Sequence, residues 1–446
     1  MAFPKIDGYV VTEKLGSGSY STVYKAYNKV GGRQSVAIKC VSRSAVRCGA
    51  AVDNLVSEIR LLRALRHPHI VRMHDFTWDH KNIYIIMELC NAGDLSAYIR
   101  RRGCLHEPQA RLFMQQLVSA LKYLHENGVS HRDLKPHNLL LHRTEDRCDL
   151  KLADFGFAMQ GVDAAGGVRG SPLYMAPEGL AGRAGPAADL WSLGVVFYEC
   201  IFGRAPYASS SLEELLLKVQ RQDPITIPAS PPISPECRAL LRSLLQHDPA
   251  HRITHEELFN HPYLDLEHMP SDENYAKAVR ALHRAAERER EGRAGAALAA
   301  YRAGLGLLTP CTARVIDPVR REHLTRRLAQ YMDRAEQIKQ YLKDTGQELP
   351  GESEYWKEEA REAAQQPLVN QDAPVTPAAV TTASVTPSTV TSSIVTPTTV
   401  TSANVTPATM TSEKRPTLNK RGSTINNRDM REKDAQKGIN DACRIT

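Results

Sequence analysis

Residues 131–138 read His-Arg-Asp-Leu-Lys-Pro-His-Asn, and residues 151–156, after an apolar run and a short loop, read Lys-Leu-Ala-Asp-Phe-Gly. In chain order they supply a carboxylate, a lysine, an amide oxygen and a second carboxylate, carried by Asp133, Lys135, Asn138 and Asp154. Phosphoryl transfer needs such groups, because the protein has to orient a hydroxyl, hold metal on the phosphate oxygens and neutralise the charge of the transferred group. Since this spacing hardly ever arises by chance, the two stretches indicate phosphoryl-transfer chemistry.

A glycine-rich turn precedes them near the start of the chain. It extends from Leu15 to Val23, contains Gly16 and Gly18, and lies between short alternating runs that predict hairpin strands. Glycines allow backbone amides to fold over phosphate groups, although an ordinary turn shows the same pattern. The following strand ends at Lys39, and a lysine there is costly to bury unless it meets anions. The turn and the lysine together favour a nucleotide-phosphate site.

The carboxylate partner of that lysine is expected on the next helix. Apolar residues recur on one face between Asp53, which is predicted to be the N-cap, and Leu65. Glu58 lies on this helix. Alone it would be a solvated helix charge, but with Lys39 upstream we interpret it as the ion-pair partner of the lysine.

These motifs resemble those of the eukaryotic protein kinase family over about residues 9–264. The resemblance implies an α+β fold of two lobes, ATP and Mg²⁺ as cofactors, and phosphorylation of serine or threonine, since Lys135 is typical of the serine/threonine form. It names Asp133 and Lys135 as catalytic residues, with Asp133 orienting the acceptor hydroxyl, and it implies that Asn138 and Asp154 hold magnesium. The residues that it assigns to the nucleotide site are Leu15, Gly16, Gly18, Val23, Ala37, Lys39, Glu58 and, at the hinge after the gatekeeper Met87, Glu88 and Cys90.

The chain departs from the family pattern at two places. The third glycine of the turn is Ser21, at the least demanding of the three positions. Between Asp154 and Gly170 there is no serine, threonine or tyrosine, so the usual phosphorylation site of the activation segment is missing. We hypothesise that the segment is active without phosphorylation, with Asp163 partly replacing the phosphate. A glycine-rich loop that is simply flexible is the alternative.

Composition restricts the remaining possibilities. The net charge of +7 is distributed in blocks, and no cluster of lysine and arginine with interleaved aromatics indicates nucleic-acid binding. The nine cysteines include no C-x-x-C pair, which argues against a disulfide framework or a cysteine zinc site and favours a reducing compartment. Neither a signal peptide nor a transmembrane segment is recognisable, so we expect a soluble, cytoplasmic protein.

Residues 271–345 are predicted to form a separate bundle of three helices. The third helix shows one apolar stripe over residues 324–342, and the expected breaks are Gly292 and the Thr-Pro pair at Pro310. The pattern resembles the MIT family of three-helix modules, which bind tails of ESCRT-III membrane-remodelling subunits. A single tetratricopeptide unit is the alternative. With fifteen Lys/Arg against ten Asp/Glu, the bundle suits acidic tails.

The rest of the chain is predicted to divide into two segments. Residues 346–366 are acidic and are interpreted as a helical segment that contains Trp356. Residues 367–446 are interpreted as a disordered tail, because 18 of the 37 residues in 375–411 are serine or threonine and a Val-Thr-Pro unit repeats every ten residues.

The order of the segments gives a more specific resemblance. A serine/threonine kinase followed by an MIT-like module resembles the unc-51-like kinases, in particular their MIT-bearing branch. This implies roles in autophagy, in cytokinesis and abscission, or in Hedgehog-type signalling. The competing hypothesis is an adaptor whose kinase fold is a catalytically weak scaffold for ESCRT-III tails. The presence of Lys39, Asp133 and Asp154 argues against it.

Overall fold

The structure is a computed structural model of the 446-residue chain. It describes residues 3–18, 21–30, 32, 34–45, 49–160, 170–183 and 185–365. The described residues up to Ala360 belong to one compact unit, and a second unit begins at Arg361. The predicted disordered tail and the position of Asp163 lie outside the described residues.

The N-terminal lobe is a five-stranded antiparallel sheet with one long helix. Its strands lie in the order β1-β2-β3-β5-β4, and they are β1 (Tyr9–Ser17), β2 (Ser21–Asn28), β3 (Ser35–Ser42), β4 (Met73–Trp78) and β5 (Asn82–Glu88). The glycine-rich turn joins β1 to β2. Because β3 is paired on both sides, Lys39 lies opposite Val23 of β2 and Ile85 of β5. The lysine therefore projects from the middle of the sheet, close to the turn.

The helix of this lobe, α1 (Gly49–Ala64), begins earlier than the sequence predicts. The expected N-cap, Asp53, lies within the helix, four residues after its first residue. The helix extends upstream because residues 49–52 read Gly-Ala-Ala-Val, and alanine has the highest intrinsic helix propensity. Glu58 is buried on α1, as expected for a carboxylate that faces the sheet and not the solvent.

The second lobe is helical around one fully buried helix. Its elements are α2 (Leu95–Arg102), α3 (Glu107–Glu126), β6 (Val129–Ser130), β7 (Leu139–Arg143), β8 (Cys148–Leu152), β9 (Met159–Gln160), α4 (Pro177–Leu180), α5 (Ala188–Phe202), α6 (Leu212–Gln220), α7 (Pro235–Leu244) and α8 (His255–Phe259). Thirteen of the fifteen residues of α5 are buried, among them Trp191 and Phe197. A helix that is apolar on all sides has to lie in the centre of a lobe. Asp189, in its first turn, is one of the few polar residues of α5, and it binds the backbone of the site.

The predicted bundle is present as α9 (Asp272–Arg290), α10 (Ala294–Arg314) and α11 (Pro318–Asp344). The break at Gly292 is confirmed, since this residue has a φ of 75° in the turn between α9 and α10. The break at Pro310 is wrong, because α10 continues to Arg314. A proline inside a helix costs about 3 kcal/mol, and burial of Cys311 and Thr312 directly after it offsets that cost.

A fourth helix, α12 (Glu352–Gln365), lies within the acidic segment. The sequence drew attention to Trp356, but it is Tyr355 that is fully buried, with Trp356 partly buried next to it. Within the described residues no helix combines the length and the apolar character needed to cross a membrane.

Candidate active site

A cleft of about 600 Å³ lies between the sheet and the helical lobe. Every residue that the sequence assigned to the nucleotide or to metal lines this cleft: Leu15, Gly16, Gly18, Val23, Ala37, Lys39, Glu58, Glu88, Cys90, Asn138 and Asp154. The two remaining assigned residues, Asp133 and Lys135, are joined to the cleft through Asn138. The fold thus brings together side chains that the chain separates by more than a hundred positions.

Lys39 is bound by two carboxylates from different parts of the chain. Its Nζ lies 2.6 Å from Glu58 Oε1 and 2.9 Å from Asp154 Oδ1. Burial favours the neutral amine, but the two carboxylates outweigh it, and the pKa of Lys39 is raised. The ammonium group in turn lowers the pKa of Asp154. A permanent cation therefore lies in the cleft, below the glycine-rich turn, where it can attract phosphate oxygens.

Asp133 is held by donors on three sides. One carboxylate oxygen, Oδ2, lies 2.9 Å from both Asn138 Nδ2 and Lys135 Nζ, and the other, Oδ1, accepts a 3.0 Å hydrogen bond from the backbone N–H of Ser171. Lys135 also donates to Ser171 Oγ at 2.7 Å. Three donors fix the orientation of the carboxylate, which a group that receives or orients a hydroxyl proton requires.

The loop that carries Asp133 is anchored to the central helix. The two carboxylate oxygens of Asp189 accept hydrogen bonds from the backbone N–H groups of His131 (2.7 Å) and Arg132 (2.8 Å). Arg132 and Asp154 both have positive φ angles, 66° and 63°, which non-glycine residues rarely adopt. Strain of this kind persists only where the surroundings determine the backbone, as at active sites.

Asn138 and Asp154 form a donor set that suits a hard divalent cation. An amide oxygen and a carboxylate are oxygen ligands, and Mg²⁺ sites in phosphotransfer proteins use one or two such groups together with substrate phosphates. Asn138 donates its Nδ2 to the backbone oxygen and to Oδ2 of Asp133, which orients the amide and leaves its oxygen available to a cation. Among the described residues no group of three or more His, Cys, Asp or Glu side chains forms a separate metal site.

At the hinge, the two assigned residues contribute in different ways. The side chain of Glu88 is bound to Lys151 (3.0 Å) and to the backbone N–H of Arg72 (2.7 Å), so it braces the hinge. Burial, assisted by the Glu88 carboxylate, raises the pKa of the Cys90 thiol to about 12. Cys90 is thus a neutral side chain at the hinge.

Several lining residues carry no sequence signal. Val71, Asp94 and Leu140 line the cleft although no motif marked them. Leu140 lies in the run Leu139–Leu141, of which the outer two residues are completely buried, so only the alternation of a strand could have predicted that the middle one faces the cleft. Asp94 caps α2 by accepting the N–H of Ala97 at 2.7 Å.

Comparison with known protein families identifies the domain family of the two-lobed region and that of the helical bundle. Residues 9–264 match the family model described as protein kinase domain, and residues 275–340 match the MIT (microtubule interacting and transport) domain. The three-helix bundle is therefore an MIT domain and not a tetratricopeptide unit.

The chain is also similar over most of its length to curated kinases. It is 47% identical to serine/threonine-protein kinase ULK3 of Rattus norvegicus over 364 residues, which cover 81% of this chain and 77% of the relative. It is 47% identical to ULK3 of Homo sapiens over 78% of this chain and 74% of the relative. Its similarity to serine/threonine-protein kinase ATG1c of Arabidopsis thaliana, 40% over 263 residues, covers 58% of this chain and 36% of the relative.

Proposed function

The chain belongs to the protein kinase family as a ULK3-like serine/threonine kinase with an MIT domain, and on this premise we propose how its residues divide the work. Asp133 orients the acceptor hydroxyl and receives its proton. Lys39 binds the α- and β-phosphates of ATP, and Lys135 neutralises the transferred γ-phosphoryl group. Asn138 and Asp154 hold Mg²⁺, which neutralises charge on the phosphate oxygens when it is bound.

The observation that supports this division most strongly is the contact of Lys39 with two carboxylates. The lysine meets both Glu58 and Asp154 within 3 Å, so strand β3, helix α1 and the segment after β8 are already aligned. A kinase needs these three parts in place before transfer can begin. We therefore also propose that the enzyme is active without phosphorylation of its activation segment, which contains no acceptor residue between Asp154 and Gly170.

The test is transfer from labelled ATP to a generic serine substrate by the full-length protein. Asp133→Asn should lower kcat by a factor of about 10² to 10⁴, the range of a lost general base. Glu126→Gln, at the exposed end of α3, is the matched control and should not change the rate. Pretreatment with phosphatase should leave the wild-type rate unchanged. Equal rates for wild type and Asp133→Asn would favour the scaffold hypothesis, and loss after phosphatase would refute only the activation proposal.

We further propose that the MIT domain brings the kinase to ESCRT-III-type tails in the cytoplasm. The surface that suits an acidic tail is a shallow groove of about 480 Å³ along one side of α11, lined by Pro318, Arg321, Glu322, Thr325, Arg326 and Ala329. These residues recur at helical spacing, as in the binding of a peptide along a helix. Tethering of a substrate there raises its effective concentration at the active site. Roles in autophagy, abscission or Hedgehog-type signalling would follow from the tail that is bound.

Charge reversal on α11 tests this targeting. Arg321→Glu with Arg326→Glu should weaken binding of a labelled ESCRT-III tail about tenfold or more and slow its phosphorylation, with no effect on a generic substrate. Arg290→Glu, exposed at the end of α9, is the control. Undiminished tail binding by the double variant would exclude this groove.

A further inference from the structure

Helix α12 lies against a face of the bundle that α9 and α10 form. Tyr355 is only 1% exposed and belongs to the same buried cluster as Ala278, Ala281 and Ala300. Arg288 of α9 lies over its ring, with 5.2 Å between the guanidinium carbon and the ring centre. The aromatic ring is thus enclosed by apolar side chains and closed off by a cation, which is how an anchor residue sits in a pocket.

Two acidic side chains of α12 are bound by cations of the surrounding structure. Glu358 lies 3.1 Å from Arg288 and 3.2 Å from Arg293, so one carboxylate is held between two guanidinium groups. One turn and a half earlier, Glu352 lies 3.3 Å from His268. Upstream of the helix, Arg302 of α10 donates to the backbone oxygen of Pro350 at 2.8 Å. The recognition is therefore electrostatic along the segment and apolar at Tyr355, with Trp356 partly buried beside it.

The composition of α12 matches this mode of contact. The helix contains five glutamates against one lysine and one arginine, whereas the bundle has an excess of basic residues. Arg288 is 4% exposed, and Glu358 is its carboxylate partner. Its Nη1 atom is buried with no hydrogen-bond partner among the described residues. Arg288 therefore offers a guanidinium group that pairs with a carboxylate of the docked helix.

We propose that α12 is an internal ligand of the MIT domain. It occupies a peptide-binding face, formed by α9 and α10, that accepts an acidic helix with one aromatic anchor, and a helix of this chemistry from a partner protein binds there only after α12 has left. This face is separate from the α11 groove proposed for ESCRT-III tails. The domain thus has a second docking surface that the chain itself keeps closed.

The test uses the full-length protein and a fluorescent peptide of residues 349–365 as the probe. Tyr355→Ala with Glu358→Ala removes the anchor and the clamped carboxylate, and so releases α12. The released variant should bind the peptide at least about tenfold more tightly than the wild type, since loss of one anchor exceeds 1.4 kcal/mol. Adding Arg288→Glu should abolish the binding. Glu354→Ala with Lys357→Ala, on the exposed side of α12, should behave as the wild type.

Hydrogen exchange of the wild type gives a second readout that depends on no variant. The amides of α12 should exchange at least about tenfold faster than those of α10, because an internal ligand opens locally. Equal protection of the two helices, or equal weak peptide binding by the released variant and the wild type, would make α12 a permanent fourth helix and overturn the proposal. Adding Arg321→Glu with Arg326→Glu to the released variant should not change its peptide binding, so failure here and failure of ESCRT-III targeting give different results.

Discussion

Lys39 is held by two carboxylates, Glu58 of α1 and Asp154. The contact with Lys39 is the role that we assign to Glu58. Glu58→Gln retains the shape of the side chain but leaves the ammonium group, whose pKa is raised, with Asp154 alone. A hydrogen bond between charged groups contributes about 1.5–3 kcal/mol, so we expect kcat to fall about 10- to 100-fold in the phosphotransfer assay.

The matched control is Arg60→Gln, an exposed position on the same helix. It should leave kcat within a factor of two of the wild type. If Glu58→Gln were as active as the control, the ion pair would be a packing feature of α1 and not a requirement for phosphate binding.

At the residue scale, the sequence marks residues of the candidate site where chemistry restricts the residue type. Asp133, Asn138 and Asp154 have to be carboxylates or amides at a defined spacing, so the motif alone marked them, and all three are near one another in the structure. Leu140 and Val71 also line the cleft, but any apolar side chain of suitable size could serve there. Residues that line the cleft only through their size and shape can be identified only after the pairing of the strands is known.

Among the elements, α10 shows how closely the helices of the bundle approach. A Cβ atom at Gly304 would lie 2.7 Å from Leu282 Cγ and 3.2 Å from the backbone oxygen of Ala278, whereas at Gly295 the nearest atom would be 3.9 Å away. Gly304→Ala therefore forces α9 and α10 apart, and overpacking of this kind costs about 1–3 kcal/mol. We expect a lower midpoint in thermal unfolding.

Gly295→Ala is the matched control on the same helix. It gains helix propensity without a clash and should stabilise the protein by about 0.5–1 kcal/mol. Equal effects of the two alanines would mean that the close contact between α9 and α10 does not exist in solution.

The docking of α12 should depend on pH through His268. Burial tends to lower the pKa of this histidine, but Asp265 at 2.8 Å and Glu352 at 3.3 Å outweigh it and raise the pKa above 6.5. A raised pKa means that the contact is fully stabilising below pH 6.5 and that its contribution is lost as the pH rises through the raised value. Hydrogen exchange of α12, corrected for intrinsic rates, should therefore show weaker protection at pH 8 than at pH 6.

Substitution of the histidine checks the assignment. His268→Gln should remove this difference, while His323→Gln, at an exposed position of α11, should retain it. A pH dependence that persisted in His268→Gln would have to come from another group, and the contact with Glu352 would then not be the sensor.

At the scale of helices and strands, local sequence patterns predicted the type of an element better than the residues at which it begins and ends. The bundle helices were predicted from their periodicity, but propensity placed a break at Pro310, where burial of the following residues carries α10 onward. The same limitation applies to α12. Its sequence indicates an acidic helix, whereas the burial of Tyr355 depends on α9 and α10, which no local pattern could reveal.

In the molecule as a whole, the MIT domain is joined to the kinase domain by ion pairs at the β7–β8 loop. Arg314 of α10 contacts the buried Asp149, whose Oδ1 also accepts a 2.9 Å hydrogen bond from Gln116 of α3. Arg147 contacts Asp272 at the start of α9. The backbone N–H of residue 316 donates to the backbone oxygen of residue 146 at 2.6 Å. The joint therefore connects the bundle to β8, the strand that leads to Asp154.

Substitution of Arg314 should allow the kinase domain and the MIT domain to unfold independently. The side chains of Arg314 and Asp149 are 9% and 11% exposed, so their pair is shielded from water, and Arg314→Gln leaves Asp149 with Arg147 as its remaining cation. Breaking a buried ion pair costs about 3–5 kcal/mol when the charge is left alone, and we expect less here because Arg147 remains. Calorimetry should resolve the wild type as one transition and the variant as two, with the bundle unfolding first.

Arg327→Gln, exposed on α11, should retain the single transition. A single unshifted transition in Arg314→Gln would show that the domains are coupled by other contacts, whereas two transitions would make this joint the route by which a ligand on the bundle can affect the strand that carries Asp154.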